Sequence, residues 1–197
     1  MFSQFITYYK VKQAVEAGNI QLVEEYVEQG FDLNTSHMEM GYDCFPMPWT
    51  WNQLLFSAET PRMIRMMVGH GANINARDQC GCTVLHDALL NRGHESAEVV
   101  RTLIRMCADP SIAAYTVGTA TDNAIRRMEV IRTGGCTEPR KTNTLVALQH
   151  NVDACIDETH RIDTSIAFAM GLHERLGEGS RVSMLDPDLL HMILGRF

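Results

Sequence analysis

Residues 78–88 read DQCGCTVLHDA, a sequence that combines a turn with the start of a helix. Gly81 lies in the turn, where a positive φ is cheap for glycine but strained for other residues. Thr83 stands just ahead of Leu85, and threonine is a residue type that caps the first turn of a helix. We therefore predict that a helix begins directly after Thr83.

A five-residue phrase recurs on both sides of this stretch. It reads GFDLN at residues 30–34 and GANIN at residues 71–75, and a degraded copy, CADPS, occupies residues 107–111. Each copy follows a short segment whose apolar residues recur at three- and four-residue steps, the spacing of an amphipathic helix. The apolar positions are Ile20, Val23, Tyr26 and Val27, then Ile64, Met67 and Val68, then Val99, Val100, Leu103 and Ile104. Each copy is therefore predicted to close a helix.

Residues 78–88 resemble the ankyrin consensus D-x-x-G-x-T-P-L-H-x-A. Thr83 follows Thr50 by 33 residues, in agreement with the family's period of about 33. The resemblance implies an all-α ankyrin-repeat solenoid of three to four repeats with a C-terminal helical cap. It also implies that the Thr83 and His86 side chains hydrogen-bond each other and nearby backbone, and that Leu85 lies in the core between the helices.

The repeat pattern divides the chain into an ankyrin-repeat domain at residues 1–137 and a C-terminal helical capping region at residues 138–197. Repeats are expected at about residues 5–36, 49–76, 77–111 and 112–137, with an insertion at residues 37–48. Pro139 is interpreted as part of the linker between the two regions. Short helix pairs cannot bury their own apolar faces, so the copies must stack and the end of the stack needs a cap.

The insertion contains the aromatic residues Tyr42, Phe45 and Trp49, and Trp51 follows at the predicted start of a helix. Tyrosine and tryptophan anchor many protein interfaces, so an aromatic insertion on the partner-binding side of an ankyrin protein is a candidate hot spot. The alternative is that these aromatic side chains fold the loop down over the divergent second repeat.

The capping region shows apolar residues at helical spacing. They are Leu145, Leu148, Val152 and Ile156, followed by Ile162, Ile166, Ala169, Met170 and Leu176. This spacing predicts one long or two consecutive amphipathic helices.

The last stretch, residues 185–194, begins with Asp186 as an N-cap and Pro187 in the first helical turn. It resembles the opening of an F-box, L-P-x-E-L-L-x-x-I-L, as found truncated at the C-termini of some viral ankyrin proteins. The resemblance implies a contact with a ubiquitin-ligase adaptor through Leu185, Pro187, Leu189, Leu190, Ile193 and Leu194. Here Asp186 replaces the leucine that precedes the proline in the family pattern. A leucine-rich capping helix is the alternative for residues 185–197.

Composition excludes several classes of partner. Seventeen Lys and Arg against twenty-four Asp and Glu give a net charge of −7, which argues against nucleic-acid binding. The sequence has no apolar run of about 20 residues and no leader pattern, so we expect neither membrane insertion nor secretion. Six scattered cysteines indicate reduced thiols and a cytoplasmic or nuclear location.

Common catalytic and cofactor motifs are absent from the sequence, so we predict a protein that is not an enzyme and needs no cofactor. Cys80 and Cys82 are separated by one residue, which differs from the two-residue spacing typical of zinc sites, and no metal site is predicted. Cys155 could pair with His150 or His160 as a nucleophile, but its place in the apolar stripe favours a core role.

The function predicted from the resemblance is non-enzymatic binding of a partner protein on the concave ankyrin surface. The candidate contact residues are Tyr42, Phe45 and Trp49 in the insertion, Arg77, Gln79, Cys80, Cys82, Leu90 and Asn91 in the third repeat, and Tyr115 and Thr116 in the fourth. The alternative function is that of a substrate adaptor for a ubiquitin ligase, acting through the F-box-like helix.

Overall fold

The computed structural model describes residues 2–40, 49–90, 96–133 and 139–176. Within these ranges the helices are α1 (Phe2–Glu16), α2 (Ile20–Glu28), α3 (Pro61–Gly69), α4 (Val84–Leu90), α5 (Ser96–Arg105), α6 (Ala120–Thr133) and α7 (Pro139–Leu176), together with a 3₁₀ turn at Leu54–Ser57. The strands are β1 (Ser36–Met40), β2 (Trp49–Gln53), β3 (Ala113–Ala114) and β4 (Gly118–Thr119). They form two separate antiparallel hairpins, β1 with β2 and β3 with β4.

The helices form stacked pairs in two layers. Helix α1 packs against α2, α4 against α5, and α6 against α7. Between pairs, α4 packs on α6, α5 packs on α3 and α7, and the 3₁₀ turn contacts α1 and α4. One layer therefore contains α1, the 3₁₀ turn, α4 and α6, and the other contains α2, α3, α5 and α7. The predicted all-α solenoid is confirmed, since the strands add only short hairpins. No helix in the described ranges is long and apolar enough to cross a membrane.

A continuous apolar core runs through the stack from Tyr8 in α1 to Ile162 in α7. Leu85 of α4 is 1% exposed, which confirms its predicted place in the core. Met63 and Met67 of α3 are fully buried and fill the space between neighbouring helices. Burial is therefore shared between helix pairs rather than confined to each pair.

The recurring five-residue phrase closes three helices with the same backbone conformation. Its first residue has a positive φ in each copy, +89° at Gly30, +90° at Gly71 and +65° at Cys107. Glycine adopts this left-handed conformation without strain, whereas cysteine carries a cost of about 1 to 2 kcal/mol. The degraded third copy therefore keeps the helix ending although it has lost the glycine.

Asparagine side chains of the phrase tie each repeat to the next. The Asn34 Oδ1 atom accepts a hydrogen bond from the backbone N–H of Asn73 at 2.7 Å, and its Nδ2 donates to the Gly71 carbonyl at 3.0 Å. One repeat later, Asn75 Oδ1 accepts from the backbone N–H of Asp109 at 2.9 Å. These bonds link residues 34 to 39 positions apart and fix the distance between successive turns.

The prediction that Trp51 begins a helix is wrong. Trp51 lies in β2 and pairs with Met38 of β1, so its backbone hydrogen bonds belong to a hairpin ladder. Aromatic and β-branched residues such as the Trp49 to Trp51 run favour a strand. The first helical element of the second repeat is consequently reduced to the 3₁₀ turn at Leu54–Ser57.

The interpretation of Pro139 as a linker residue is also wrong, because α7 begins at Pro139. Proline suits the first helical position, where its missing N–H has no intrahelical partner to lose. From there α7 continues as one helix of 38 residues, which is the first of the two predicted arrangements.

A fully buried asparagine attaches α7 to the preceding helix pair. Asn151 is 0% exposed, and its Oδ1 accepts a hydrogen bond from the Ser96 hydroxyl at 2.9 Å. Its Nδ2 donates to the carbonyls of Ala88 and Leu89 at 3.4 and 3.2 Å. Asn151 therefore binds the C-terminal end of α4 and the N-terminal end of α5, where helix termini leave unpaired backbone groups.

A second polar contact joins α5 to α7 further along. Arg105 donates two hydrogen bonds to Glu158, Nε to Oε1 and Nη2 to Oε2, each 3.1 Å long. Arg161 also contacts Glu158, whose side chain is only 5% exposed. Burial opposes the ionisation of Glu158, but the hydrogen bonds and charges of the two arginines outweigh it and lower the pKa of this carboxyl group.

Replacement of the core leucine, Leu85→Ala, is expected to lower the free energy of unfolding by about 2 to 5 kcal/mol because it leaves a cavity between two helix pairs. Urea denaturation measures this change. Ile125→Ala in α6 is the control, since Ile125 is 43% exposed and leaves no cavity. Equal destabilisation by the two variants would contradict the assigned core.

The variant Glu158→Gln is expected to reduce the free energy of unfolding at neutral pH by about 1 to 3 kcal/mol, because it removes an ionised acceptor of charge-assisted hydrogen bonds. A lowered pKa in the folded state stabilises the fold above the unfolded value of about 4.3, and this contribution disappears as the pH falls through the folded pKa.

The stability difference between the wild-type protein and Glu158→Gln should therefore be constant above about pH 5.5 and shrink in more acidic buffer. Urea denaturation from neutral pH to about pH 3 tests this. A difference that is independent of pH would show that the carboxylate charge of Glu158 does not stabilise the contact between α5 and α7.

Candidate functional site

Residues 77–83 form a tight turn, which we call the third tip. Arg77 and Thr83 form an antiparallel bridge, and within the turn the Asp78 N–H donates to the Cys82 carbonyl at 2.9 Å. The Asp78 Oδ1 atom accepts from the N–H groups of Cys80 and Cys82, each at 2.8 Å. One carboxylate therefore organises the backbone of the whole tip.

The β3–β4 hairpin, residues 113–119, forms the fourth tip and packs against the third. The Tyr115 N–H donates to the Cys80 carbonyl at 3.0 Å. A Cβ atom on Gly81 would lie 3.2 Å from the Tyr115 ring, and Gly81 also has a φ of +78°. Glycine at this position thus serves both the turn and the close approach of the tyrosine.

His86 lies beneath the two tips and forms hydrogen bonds with both of them. Its Nδ1 accepts from the Thr83 N–H at 3.1 Å and lies 3.0 Å from the Thr83 hydroxyl. Because Nδ1 is an acceptor, a neutral His86 carries its proton on Nε2, which donates to the Gly118 carbonyl at 3.1 Å. The predicted hydrogen bond between Thr83 and His86 is confirmed, and it extends to the next repeat.

The fourth tip is held to α6 by a reciprocal cap. Asp122 Oδ2 accepts from the N–H and the hydroxyl of Thr119 at 3.0 and 2.7 Å, and the Thr119 hydroxyl oxygen accepts from the Asp122 N–H at 3.2 Å. The hydrogen bonds from Thr119 lower the pKa of Asp122. Arg126 adds a bond from Nη1 to the Thr116 carbonyl at 3.4 Å.

The structure brings together most of the described residues predicted to contact a partner. Arg77, Thr116 and Tyr115 are exposed, and Tyr115 is the most exposed at 72%. Gln79, Cys80 and Cys82 are half-buried on the third tip. Leu90 is half-buried at the C-terminal end of α4, away from the tips along that helix.

Several other predicted residues fall outside what the structure describes. Trp49 belongs to β2, where its backbone pairs with Met40, but its side chain is not among the described ones. The residues that lie wholly outside the described ranges are Tyr42, Phe45 and Asn91, and, in the F-box-like segment, Leu185, Pro187, Leu189, Leu190, Ile193 and Leu194.

Three residues that organise the tips are not among the predicted contacts, namely Asp78, Gly118 and Asp122. Asp122 could have been found from its spacing, since an acidic residue three positions after Thr119 is the pattern of a capping box. Gly118 contributes only a carbonyl group, which leaves no signal in the sequence.

Cys155 is 1% exposed, which confirms its predicted place in the core, and burial raises the pKa of its thiol. His150 and His160, the proposed partners for a nucleophile, are exposed. Within the part of the chain that the structure describes, no three His, Cys, Asp or Glu side chains come together as metal ligands.

Two layers of short stacked helix pairs, joined by turns at a regular interval, define a helical-repeat protein. Residues 80–115 match the family model of the ankyrin repeat. This match and the stacked helix pairs support an ankyrin-repeat protein.

Two related proteins have the same description, "Ankyrin repeat, SAM and basic leucine zipper domain-containing protein 1", from Ovis aries and Bos taurus. Each is 31% identical to this chain over 117 residues, which are 58% of the chain. The chain spans only 23% of the length of either relative. The ankyrin repeat is a protein–protein interaction module on a non-enzymatic fold.

The variant Asp78→Ala removes the acceptor of two backbone hydrogen bonds and is expected to loosen the third tip by about 1 to 2 kcal/mol. Amide hydrogen exchange at Cys80 and Cys82 should then become faster by about tenfold. Asp78→Asn, which keeps Oδ1, is the matched control. Unchanged exchange in Asp78→Ala would show that the tip is held by its backbone bonds alone.

Proposed function

We propose that the third and fourth tips together form the surface on which this protein binds a partner protein, and that the binding is non-enzymatic. The observation that carries the proposal is the exposed Tyr115 ring, held in place on the neighbouring tip. Tyrosine and arginine are enriched among residues that dominate binding energy, and Arg77 stands at the base of the third tip.

Pre-organisation supports this assignment. The backbone N–H of Tyr115 is bound to Cys80, and its ring lies against Gly81. A side chain that is ordered before binding loses less conformational entropy in the complex. The exposed tyrosine is therefore suited to anchor a partner.

The full proposed surface follows the ankyrin template, with the concave side of the stack receiving the partner. It comprises Arg77, Gln79, Cys80, Cys82, Leu90 and Asn91 of the third repeat, Tyr115 and Thr116 of the fourth, and Tyr42, Phe45 and Trp49 of the insertion. We place this binding in the cytoplasm or nucleus, because the scattered cysteines are typical of proteins that keep reduced thiols.

The alternative function is that of a substrate adaptor for a ubiquitin ligase. It is supported by the resemblance of residues 185–194 to the start of an F-box. In this alternative, the tips hold the substrate and the F-box-like segment contacts the ligase adaptor.

The surface is tested by affinity capture with the wild-type chain and with the double variant Arg77→Ala, Tyr115→Ala. Each captured protein is then titrated with both forms of the chain. The double variant is expected to weaken binding by about tenfold or more, with an unchanged melting temperature, because both side chains project from the fold. Glu25→Ala, on the exposed face of α2, is the matched control.

Equal affinity of the double variant and the wild-type protein would reject the tips as the binding surface. Capture of ubiquitin-ligase subunits by the wild-type chain, lost on Leu190→Asp, would support the adaptor alternative.

A further inference from the structure

Helix α6 repeats the pattern of α4 and adds two arginines to the proposed surface. Ala124 of α6 follows Ala88 of α4 by 36 residues, and both alanines are buried. The same interval leads from Leu90, a residue of the proposed surface, to Arg126. Arg126 and its neighbour Arg127 are both exposed. They therefore extend the proposed surface along α6, beyond the residues predicted from the sequence.

Arg126 links α6 to the tips. Its Nη1 atom donates a hydrogen bond to the Thr116 carbonyl at 3.4 Å, and Thr116 directly follows the exposed Tyr115. The N–H group of Tyr115 is in turn bound to Cys80 of the third tip. Arg77, at the base of that tip, is exposed as well. Arginines of two successive repeats are therefore joined to one surface through the tyrosine.

The carboxylates of the two tips already serve the fold. Asp78 accepts two backbone N–H groups, and Asp122 accepts the N–H and the hydroxyl of Thr119. Asp122 also lies close enough to Arg126 for their charges to interact. Arg127 differs, because no acidic residue stands three or four positions from it on α6, where helical neighbours meet. The positive charge of Arg127 is therefore not balanced by its own helix.

Two guanidinium groups of this surface remain available for a ligand. Within the described ranges, the side chains of Arg77 and Arg127 have no hydrogen-bond or ion-pair partner, although Asp87 of α4 is also exposed. A guanidinium group can bind a carboxylate through two parallel hydrogen bonds. The net charge of −7 opposes a long polyanion such as nucleic acid. A short acidic segment is therefore the ligand that matches these arginines.

We propose that the partner segment bound by the tips is acidic, with carboxylate side chains that pair with Arg77 and Arg127 while the Tyr115 ring packs against the segment. This inference rests on the proposed function, because it specifies the chemistry of the partner at the same surface. Pairs between exposed charges are screened by salt, so binding should weaken severalfold when the ionic strength rises from about 0.05 to about 0.5 M.

A displayed library of random peptides, selected on the wild-type chain, tests the charge preference without assuming a partner. The selected peptides are expected to be enriched in Asp and Glu relative to the unselected library, and they are then synthesised and titrated. The double variant Arg77→Glu, Arg127→Glu should weaken their binding by about tenfold or more, because like charges then face each other.

The matched control is the double variant Arg62→Glu, Arg65→Glu. It changes the net charge by the same amount at two exposed positions of α3, in the other helix layer, and should leave the affinity within about twofold of wild type. Thermal melts check that both double variants are folded. If Arg77→Glu, Arg127→Glu melts below the wild-type protein, the milder Arg127→Gln variant decides by the same titration.

The variant Tyr115→Ala separates this inference from the proposed function. Peptides that need Tyr115 but are not enriched in Asp and Glu would overturn the acidic partner and leave the tips as the binding surface. The same conclusion follows if peptides that need Tyr115 bind Arg77→Glu, Arg127→Glu as tightly as wild type. Peptides whose affinity changes in none of these variants bind elsewhere, and this result would reject both proposals.

Discussion

The structure depends on the fact that its helices are too short to be stable alone. Helix α4 has 7 residues and α5 has 10, and isolated helices of this length are marginal in water. One pair also cannot cover its own apolar residues. Leu85 and Leu103 become buried because neighbouring pairs lie on both sides of them. The fold therefore exists only as a stack, and the tips become neighbours only because the stack forms.

Apolar packing is not directional, so polar contacts must set the register of the stack. The asparagines of the recurring phrase bind the backbone of the next turn, and His86 binds the backbone of the following tip. Each contact joins a side chain of one repeat to a backbone group of the next. Such bonds are lost if a repeat shifts by one residue, so they hold Tyr115 at a fixed distance from Gly81. The exposed surface at the tips therefore depends on the buried and half-buried hydrogen bonds of His86 beneath it.

The sequence predicts features that depend on local spacing. The helix after Thr83, the buried Leu85 and the core position of Cys155 all follow from periodicity and one consensus stretch. Repeat spacing predicts a helix at Trp51, but this spacing crosses a hairpin whose ladder uses the backbone bonds that a helix needs. Proline both ends and begins helices, so Pro139 is compatible with a linker and with the start of α7. The proline alone therefore does not decide between a linker and the start of a helix.

Contacts between distant positions were beyond the reach of such spacing. Asn151 binds groups 55 to 63 residues away, and Glu158 meets Arg105 across 53 residues. Neither residue differs in the sequence from a polar residue on a solvated helix face. A polar residue inside a helical stripe becomes informative only when a neighbouring helix end is known to need a partner. Asn151 meets that need at the junction of α4 and α5.

The last helix pair shows how an array of repeats can end. Asn34 and Asn75 set the register of successive turns by the same kind of hydrogen bond. Helix α7 differs from the repeats in sequence and length, so other contacts must set its register. Asn151 and Glu158 give it a register of its own, because a buried amide and a buried carboxylate can each be satisfied in only one position. Both contacts lie ahead of Ile162, so the first part of α7 is fixed against α5. The junction of α7 with the repeats is therefore specified by these two polar contacts rather than by the recurring asparagine bond.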